Sequence, residues 1–411
     1  MYPSATGGET RSCVLDGIFI PCRPRIAAPK LKWSVRCQTG LCVCRASGCL
    51  SPGGGSNERD DVGCGVGNGP AGNRVRPAMS RPNLFGYATS ELSQDAILCW
   101  LLAWADPKNA AADPGLHDLG ARFIAKIMEL HGHRMPEISS LAIHRQYRSI
   151  DILVVINSRI AICIEDKAGG LEHSGQLARY LKLLVEEGYP RENIIPVYVQ
   201  TFEQGSYQAV HDAGYAVLSR KDLLALLRDQ AGIETNAIVR DFHDHLSLVD
   251  GEVDAFNHQP VAVWSALAWQ GFYRQLQLQL QDGRWRYVAN PSGGFQAFWW
   301  HAKDGPGGRA YLQLEQDRLC FKIWVEEPTE RVRLRNDWHA RMVQQGHQHG
   351  LDVVRPKKFG YGTAMTVAIF DGDYRVTGPD GCLDMVPTLA RLRMAGYILT
   401  AASLSFAAAA T

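Results

Sequence analysis

The chain has no segment that could cross a membrane. A spanning helix needs about 20 strongly apolar residues, and the terminal run MAGYILTAASLSFAAAAT is short and alanine-rich, which suits a docked or frayed helix. The chain also has no excess of either charge. Its 43 Lys and Arg stand against 42 Asp and Glu, a formal net charge of +1, so no global field draws it onto nucleic acid and any such contact must be local. No secretory signal is recognisable, and the paired C-x2-C spacing of a zinc ribbon is missing. The glycines of GCGVGNG have no strand before them and no helix after them, so they complete no dinucleotide fingerprint. What remains is a globular composition, 46% hydrophobic and 21% charged over 411 residues, enough for two ordinary domains with real cores.

Cysteine usage divides the chain. Seven of the eleven (Cys13, Cys22, Cys37, Cys42, Cys44, Cys49, Cys64) precede residue 79, in a Gly-rich stretch with little hydrophobic periodicity. Composition changes sharply at Met79. Residues 1–78 therefore read as an over-extended gene start or a disordered leader, with a zinc-binding or disulfide module on Cys37, Cys42, Cys44 and Cys49 as the functional alternative. Cys99, Cys163, Cys320 and Cys382 are far apart and mostly lie in apolar runs, as expected of reduced core thiols in a cytoplasmic protein.

Two apolar runs, Ile150 to Ile156 (IDILVVI) and Ile160 to Lys167 (IAICIEDK), flank Asn157, Ser158 and Arg159 and read as one hairpin. A turn centred on Ser158 puts Asp151 opposite Glu165. Strand alternation adds Lys167 to their face and turns Ile152, Val154, Ile156, Ile160, Ile162 and Ile164 to the other, a core face. Opposed carboxylates repel unless a cation or proton lies between them, so stability alone does not select this pair. Two such acids suit Mg²⁺, which keeps several waters and takes one or two carboxylates plus phosphate oxygens. A lysine two residues on can orient a metal-bound water toward phosphorus. The set fits phosphodiester hydrolysis.

This D-x13-E-D-K pattern resembles the active-site signature of the PD-(D/E)XK nuclease superfamily. The resemblance implies metal binding by Asp151 and Glu165, with Mg²⁺ or a substituting Mn²⁺, and water positioning by Lys167. The family's proline before the first acid is Ile150 here. Leu171 to Glu187 reads as an amphipathic helix that stacks His173, Gln176 and Tyr180 on one stripe. Gln176 and Tyr180 resemble the Q-x-x-x-Y element of the RecB-like branch, where these residues support the site and contact the nucleic acid backbone. The superfamily often carries an additional acid on its first helix. Ser90 reads as an N-cap and Glu91 as the first residue of a helix to about Ala105, so Glu91 is a further candidate, although the macrodipole alone favours an acid there. The three close cysteines of the branch's iron–sulfur members are missing.

The fold expected is α/β: a restriction-endonuclease-like core, a mixed sheet flanked by helices, over residues 79–233, followed by a C-terminal α+β accessory domain over 234–411. The helix GLHDLGARFIAKIMEL is extra to that order and is expected on the outside. The stretch with His243, Asp244, His245, Asp250 and Asp254 reads as a polar connection. Farther on, alternating segments such as RAYLQLEQ and LCFKIWVE suggest an antiparallel sheet. The most basic neighbourhood holds Arg331, Arg333, Arg335, Arg341, Arg355, Lys357 and Lys358, interleaved with Trp338, Phe359 and Tyr361. Arg355, Lys357 and Lys358, with Tyr180, are the candidate nucleic-acid contacts; a solvated helix face is the competing reading. Together these features imply a metal-dependent nuclease acting on DNA, with RNA as the alternative substrate, of the kind that often serves in phage defence, mobile elements or repair. The rival is a catalytically inactive nuclease-fold protein acting as a nucleic-acid-binding or interaction module.

Overall fold

Ser90 accepts the amide hydrogen of Ser93 and starts helix α1 (Glu91–Ala103); Asp113 does the same for Leu116 and, with Pro114 in the first turn, starts α2 (Pro114–Leu130). Strand β1 (Leu141–Tyr147) follows, then the hairpin β2 (Ile150–Ile156) and β3 (Ile160–Lys167). The hairpin pairs Ile152 with Ile164 and Ile156 with Ile160, the register that a centre on Ser158 predicts. Asn157 adopts φ 52° in the turn, a left-handed conformation that Asn tolerates better than most residues. Its side chain accepts from the Ser139 and Ser140 amides, which fixes the turn. Helix α3 (Gln176–Glu186), strand β4 (Ile194–Gln200), the short α4 (Gln208–Asp212), β5 (Ala216–Ser219) and α5 (Arg220–Arg228) complete this half. In this computed structural model the described residues are 81–169, 175–228, 236–289, 294–305 and 307–410. Residues 1–78 with their seven cysteines, and His173, lie outside them.

The first sheet has the order β1-β2-β3-β4-β5; the first two junctions are antiparallel and the last two parallel. It is a mixed sheet flanked by helices. Ile152, Val154, Ile162, Ile164, Val197 and Val199 meet α1, α2 and α5 on one face. The other face is also core, because Leu153, Ala161, Cys163 and Tyr198 are buried against Leu177, Tyr180, Leu181 and Leu184 of α3. The expectation of a single core face is therefore corrected. Two further expectations change. Helix α2 packs inside, burying Leu119, Phe123, Ile124 and Ile127. A Cβ at Gly120 would lie 2.6 Å from the Ala105 amide nitrogen, so only glycine allows α2 to approach α1 this closely. The polar connection is a helix, α6 (Ala237–Asp254), which adds Val239, Phe242 and Leu246 to the first core. Its Asp241 and Asp244 pair with Arg81.

Helix α7 (Ala266–Gln279) leads into strands β6 (Arg284–Val288), β7 (Phe295–Lys303), β8 (Arg309–Glu315) and β9 (Arg318–Trp324), then α8 (Arg331–Gln348), β10 (Val353–Val354), β11 (Ala364–Phe370), β12 (Val376–Thr377), β13 (Leu383–Asp384) and α9 (Met385–Ala410). Strands β6 to β11 form an antiparallel sheet of order β10-β11-β9-β8-β7-β6. Its core joins Phe298, Leu312, Phe321 and Ile323 to Phe272 of α7, Trp338 and Met342 of α8, and Leu392 and Leu399 of α9. None of the described helices is long and apolar enough to cross a membrane.

Candidate active site at the β2–β3 hairpin

Asp151 and Glu165 lie where the β2–β3 ladder ends, one position beyond the Ile152–Ile164 pair. Asp151 replaces the missing ladder bond with its side chain, accepting the Asp166 amide hydrogen at 3.0 Å. Glu165 is fully buried and Lys167 is 8% exposed. The Lys167 Nζ donates to Glu165 Oε1 at 2.6 Å, and Gln176 Nε2 donates to the same oxygen at 2.9 Å. Gln176 also donates to the Tyr180 hydroxyl. The one-turn spacing of Gln176 and Tyr180 thus holds the amide over Glu165, and Tyr180, 6% exposed, acts from inside the core. Among the described residues Glu165 Oε2 is buried and has no hydrogen-bond partner.

Burial, then the Asp151 charge, push the Glu165 carboxyl up to about 7, against the pull of Lys167. Burial alone would lower the Lys167 pKa. Its hydrogen bond to Glu165 and the Glu165 and Asp151 charges outweigh that, and the net direction is upward. Lys167 is therefore an ammonium at neutral pH.

A second acidic pair lies on the α1 side and escaped the sequence reading. Strand alternation turns Asp166 away from Glu165 and toward α1, where Asp95 is 2% exposed and Asp166 1% exposed. Gln94 donates to Asp166 and accepts from the Thr201 hydroxyl. Burial, then the charge of Asp151, raise Asp95 to about 6; burial foremost, with Asp95 and Asp151 adding to it, raises Asp166 well above the carboxylate range. Gln146 ties the two sides together, donating to Asp95 Oδ2 at 3.1 Å and to Asp151 Oδ1 at 3.2 Å. Its φ of 54° is a strained value for glutamine, of the kind that gathers at functional sites. Exposed Glu91 accepts the Ala168 amide hydrogen at 3.3 Å, just past Lys167. One sequence signal could have found Asp95: it stands one helical turn after Glu91, on the same face of α1.

Among the described residues no three His, Cys, Asp or Glu are arranged to hold a metal ion. The arrangement that exists is two acids, Asp151 and Glu165, with one buried carboxylate oxygen unsatisfied. Arg355, Lys357 and Lys358 belong to the other sheet, between β10 and β11, and the described contacts do not join them to these acids. Comparison with protein families, curated proteins and solved structures finds no match for this chain.

Proposed function

We propose that the chain is a Mg²⁺-dependent nuclease of the PD-(D/E)XK type that hydrolyses DNA phosphodiester bonds in a reducing cytoplasm. The observation that carries this is Glu165: a fully buried carboxylate with one oxygen held by Lys167 and Gln176, and the other left without a partner beside Asp151. A buried unsatisfied carboxylate oxygen is expensive, and a divalent cation, or a proton shared with Asp151, would satisfy this one. The mixed sheet with its antiparallel hairpin followed by parallel strands supports a restriction-endonuclease-like core. The four described cysteines are free thiols, in keeping with a reducing compartment.

The residues that would hold a divalent cation are Asp151 and Glu165 Oε2, with exposed Glu91, which accepts the Ala168 amide hydrogen, as a further carboxylate near Lys167. Bound there, Mg²⁺ supplies Lewis-acid stabilisation of the phosphoryl oxygens and a more acidic water. Lys167, a protonated donor, orients the attacking water and offsets charge on the phosphorane. Gln176 keeps Glu165 from rotating, and Tyr180 keeps Gln176 in place. Asp95 and Asp166 brace the strand end from behind.

The rival reading, a nuclease fold that binds without turnover, draws on the burial of the Glu165–Lys167 ion pair. One experiment separates them: the full chain with linear, circular and single-stranded DNA, and with RNA, in EDTA, Mg²⁺ or Mn²⁺. Metal-dependent cleavage that Lys167→Ala removes supports the nuclease; binding without cleavage in any metal leaves the binding module.

A further inference from the structure

The basic residues of the second half differ in what they already hold. Arg333 is paired with Glu330 and Asp337. Arg331 donates to the Val325 and Glu326 carbonyls, and Arg341 donates to Ser405 and lies over Phe406. The loop between β10 and β11 is another matter. Two guanidiniums lie over the ring of Phe359, Arg335 at 4.1 Å and Arg355 at 4.3 Å from its centroid. Arg335 is an anchor, since its Nη1 donates to the Phe359 and Gly360 carbonyls. Exposed Arg355, Lys357 and Lys358 have no carboxylate partner among the described residues. Beside them Tyr361 is 73% exposed.

We propose that this loop, Arg355 to Gly362, is a binding surface for single-stranded nucleic acid that grips phosphates and stacks on a base without reading sequence. Arg355 is held over Phe359 and, with no carboxylate partner among the described residues, has N–H groups to offer a phosphate, whose oxygens match the guanidinium fork. Lys357 and Lys358 add point charges along the backbone. Tyr361 offers a ring face to an unpaired base, and any base has a face to stack. Two features set the partner apart from others. A duplex offers phosphates but no open base for Tyr361, and a membrane surface calls for exposed aliphatic or Trp side chains, which the loop does not have. A protein of near-zero net charge needs such a local grip to hold a polyanion.

The proposal does not depend on hydrolysis at the first sheet, and its test is run without it. Fluorescence anisotropy of a labelled oligothymidine, with the full chain in EDTA, is expected to show binding whose logarithm falls with log salt at a slope of about −2 for three phosphate contacts. Lys357→Gln with Lys358→Gln should flatten that slope by about 1.4, and Tyr361→Ala should weaken binding about tenfold with a smaller change of slope. Glu165→Ala should leave all of this unchanged. A duplex of equal length bound as tightly as the single strand, no binding at all, or native affinity in the Arg355→Gln, Lys357→Gln, Lys358→Gln variant would overturn the proposal. All three substituted residues are exposed, and a matching thermal melt checks that the variant folds. Tyr361→Ser repeats the test at a position with no packing to lose. In the native chain, binding without cleavage in any metal would count against the nuclease reading alone, and metal-dependent cleavage without this binding against this surface alone.

Discussion

Two buried polar clusters among the described residues are built on opposite principles. Around Arg220, 2% exposed, the guanidinium donates to Asp250, Glu203 and the Thr201 carbonyl, and Arg274 of α7 donates to Glu203 as well. Two cations meet two anions there. At the hairpin end, Glu91, Asp95, Asp151, Glu165 and Asp166 lie around one buried cation, Lys167, and among the described residues Asp95 Oδ1, Glu165 Oε2 and Asp166 Oδ2 are buried with no hydrogen-bond partner. The balanced cluster is what a fold uses to lock α6 and α7 to the first sheet. The unbalanced one is held against its own repulsion, and the imbalance is what a bound cation or added protons would relieve.

The comparison breaks most sharply in activity. Lys167→Ala and Glu165→Ala should each lower metal-dependent cleavage by about 10²–10⁴-fold. Lys167→Ala should keep metal binding, since an ammonium is not a ligand. Initial rates with a linear duplex, alongside calorimetric Mg²⁺ titration, would show it; near-native cleavage by both variants would reduce the acidic cluster to architecture.

The next largest effect falls on the balanced side, and on stability. Arg220→Met leaves Asp250 and the Thr201 carbonyl without their donor and Glu203 with Arg274 alone, a loss of about 3–5 kcal/mol for one partner of a buried pair. Urea unfolding should report it in full with or without Mg²⁺. A variant whose loss disappears in Mg²⁺ would mean that the two clusters are one system.

The hairpin was legible because its signal is local. Equal spacing about Ser158 sets the register, alternation sets the faces, and a one-turn spacing sets Gln176 on Tyr180. The Asp95–Asp166 pair was not, because it exists only once α1 lies on the sheet, 71 positions of chain brought together by packing. Helix α6 was hidden by its charges. Val239, Phe242, Leu246, Val249 and Val253 repeat at helical spacing, yet His243, Asp244 and His245 between them looked like a loop, and Arg81, which pairs with Asp241 and Asp244, is far away in sequence. The inside packing of α2 rests on the missing side chain of Gly120, and a glycine within a helix reads as a weakness until its neighbour is known.

A smaller effect is a pH slope. Glu165 titrates near 7 in the fold against an ordinary value of 4.5. Its folded pKa is the higher one, so its contribution is fully present below pH 4.5 and is lost as pH rises through 7. Over that window the metal-free protein should lose on the order of 3 kcal/mol from this group. Asp95, raised to about 6, has the same sign at lower pH. Unfolding in EDTA across pH 5–8 should show stability falling, and Glu165→Gln should flatten the fall. An unchanged slope in the variant would mean that Glu165 is not the group that titrates.

The smallest expected change separates repulsion from bracing at Asp151. Its carboxylate does two things at once. It raises the pKa of Glu165 by its charge, and it holds the strand end by accepting from the Asp166 amide and from Gln146. Asp151→Asn removes the charge and keeps one acceptor oxygen for the Asp166 amide. In EDTA above pH 7, where Glu165 is ionised, the variant should gain up to about 1 kcal/mol from the lost like-charge contact. Below pH 5 Glu165 is protonated, the repulsion is gone, and the gain should vanish or reverse, leaving only the weakened brace. Mg²⁺ should stabilise the native chain, as any ligand of the folded state does, and stabilise the variant far less. Thermal melts at pH 5 and pH 8, each in EDTA and in millimolar Mg²⁺, give four comparisons. If Asp151→Asn is destabilised at both pH values and responds to Mg²⁺ as the native chain does, Asp151 is a backbone brace alone, and the metal would have to bind without it.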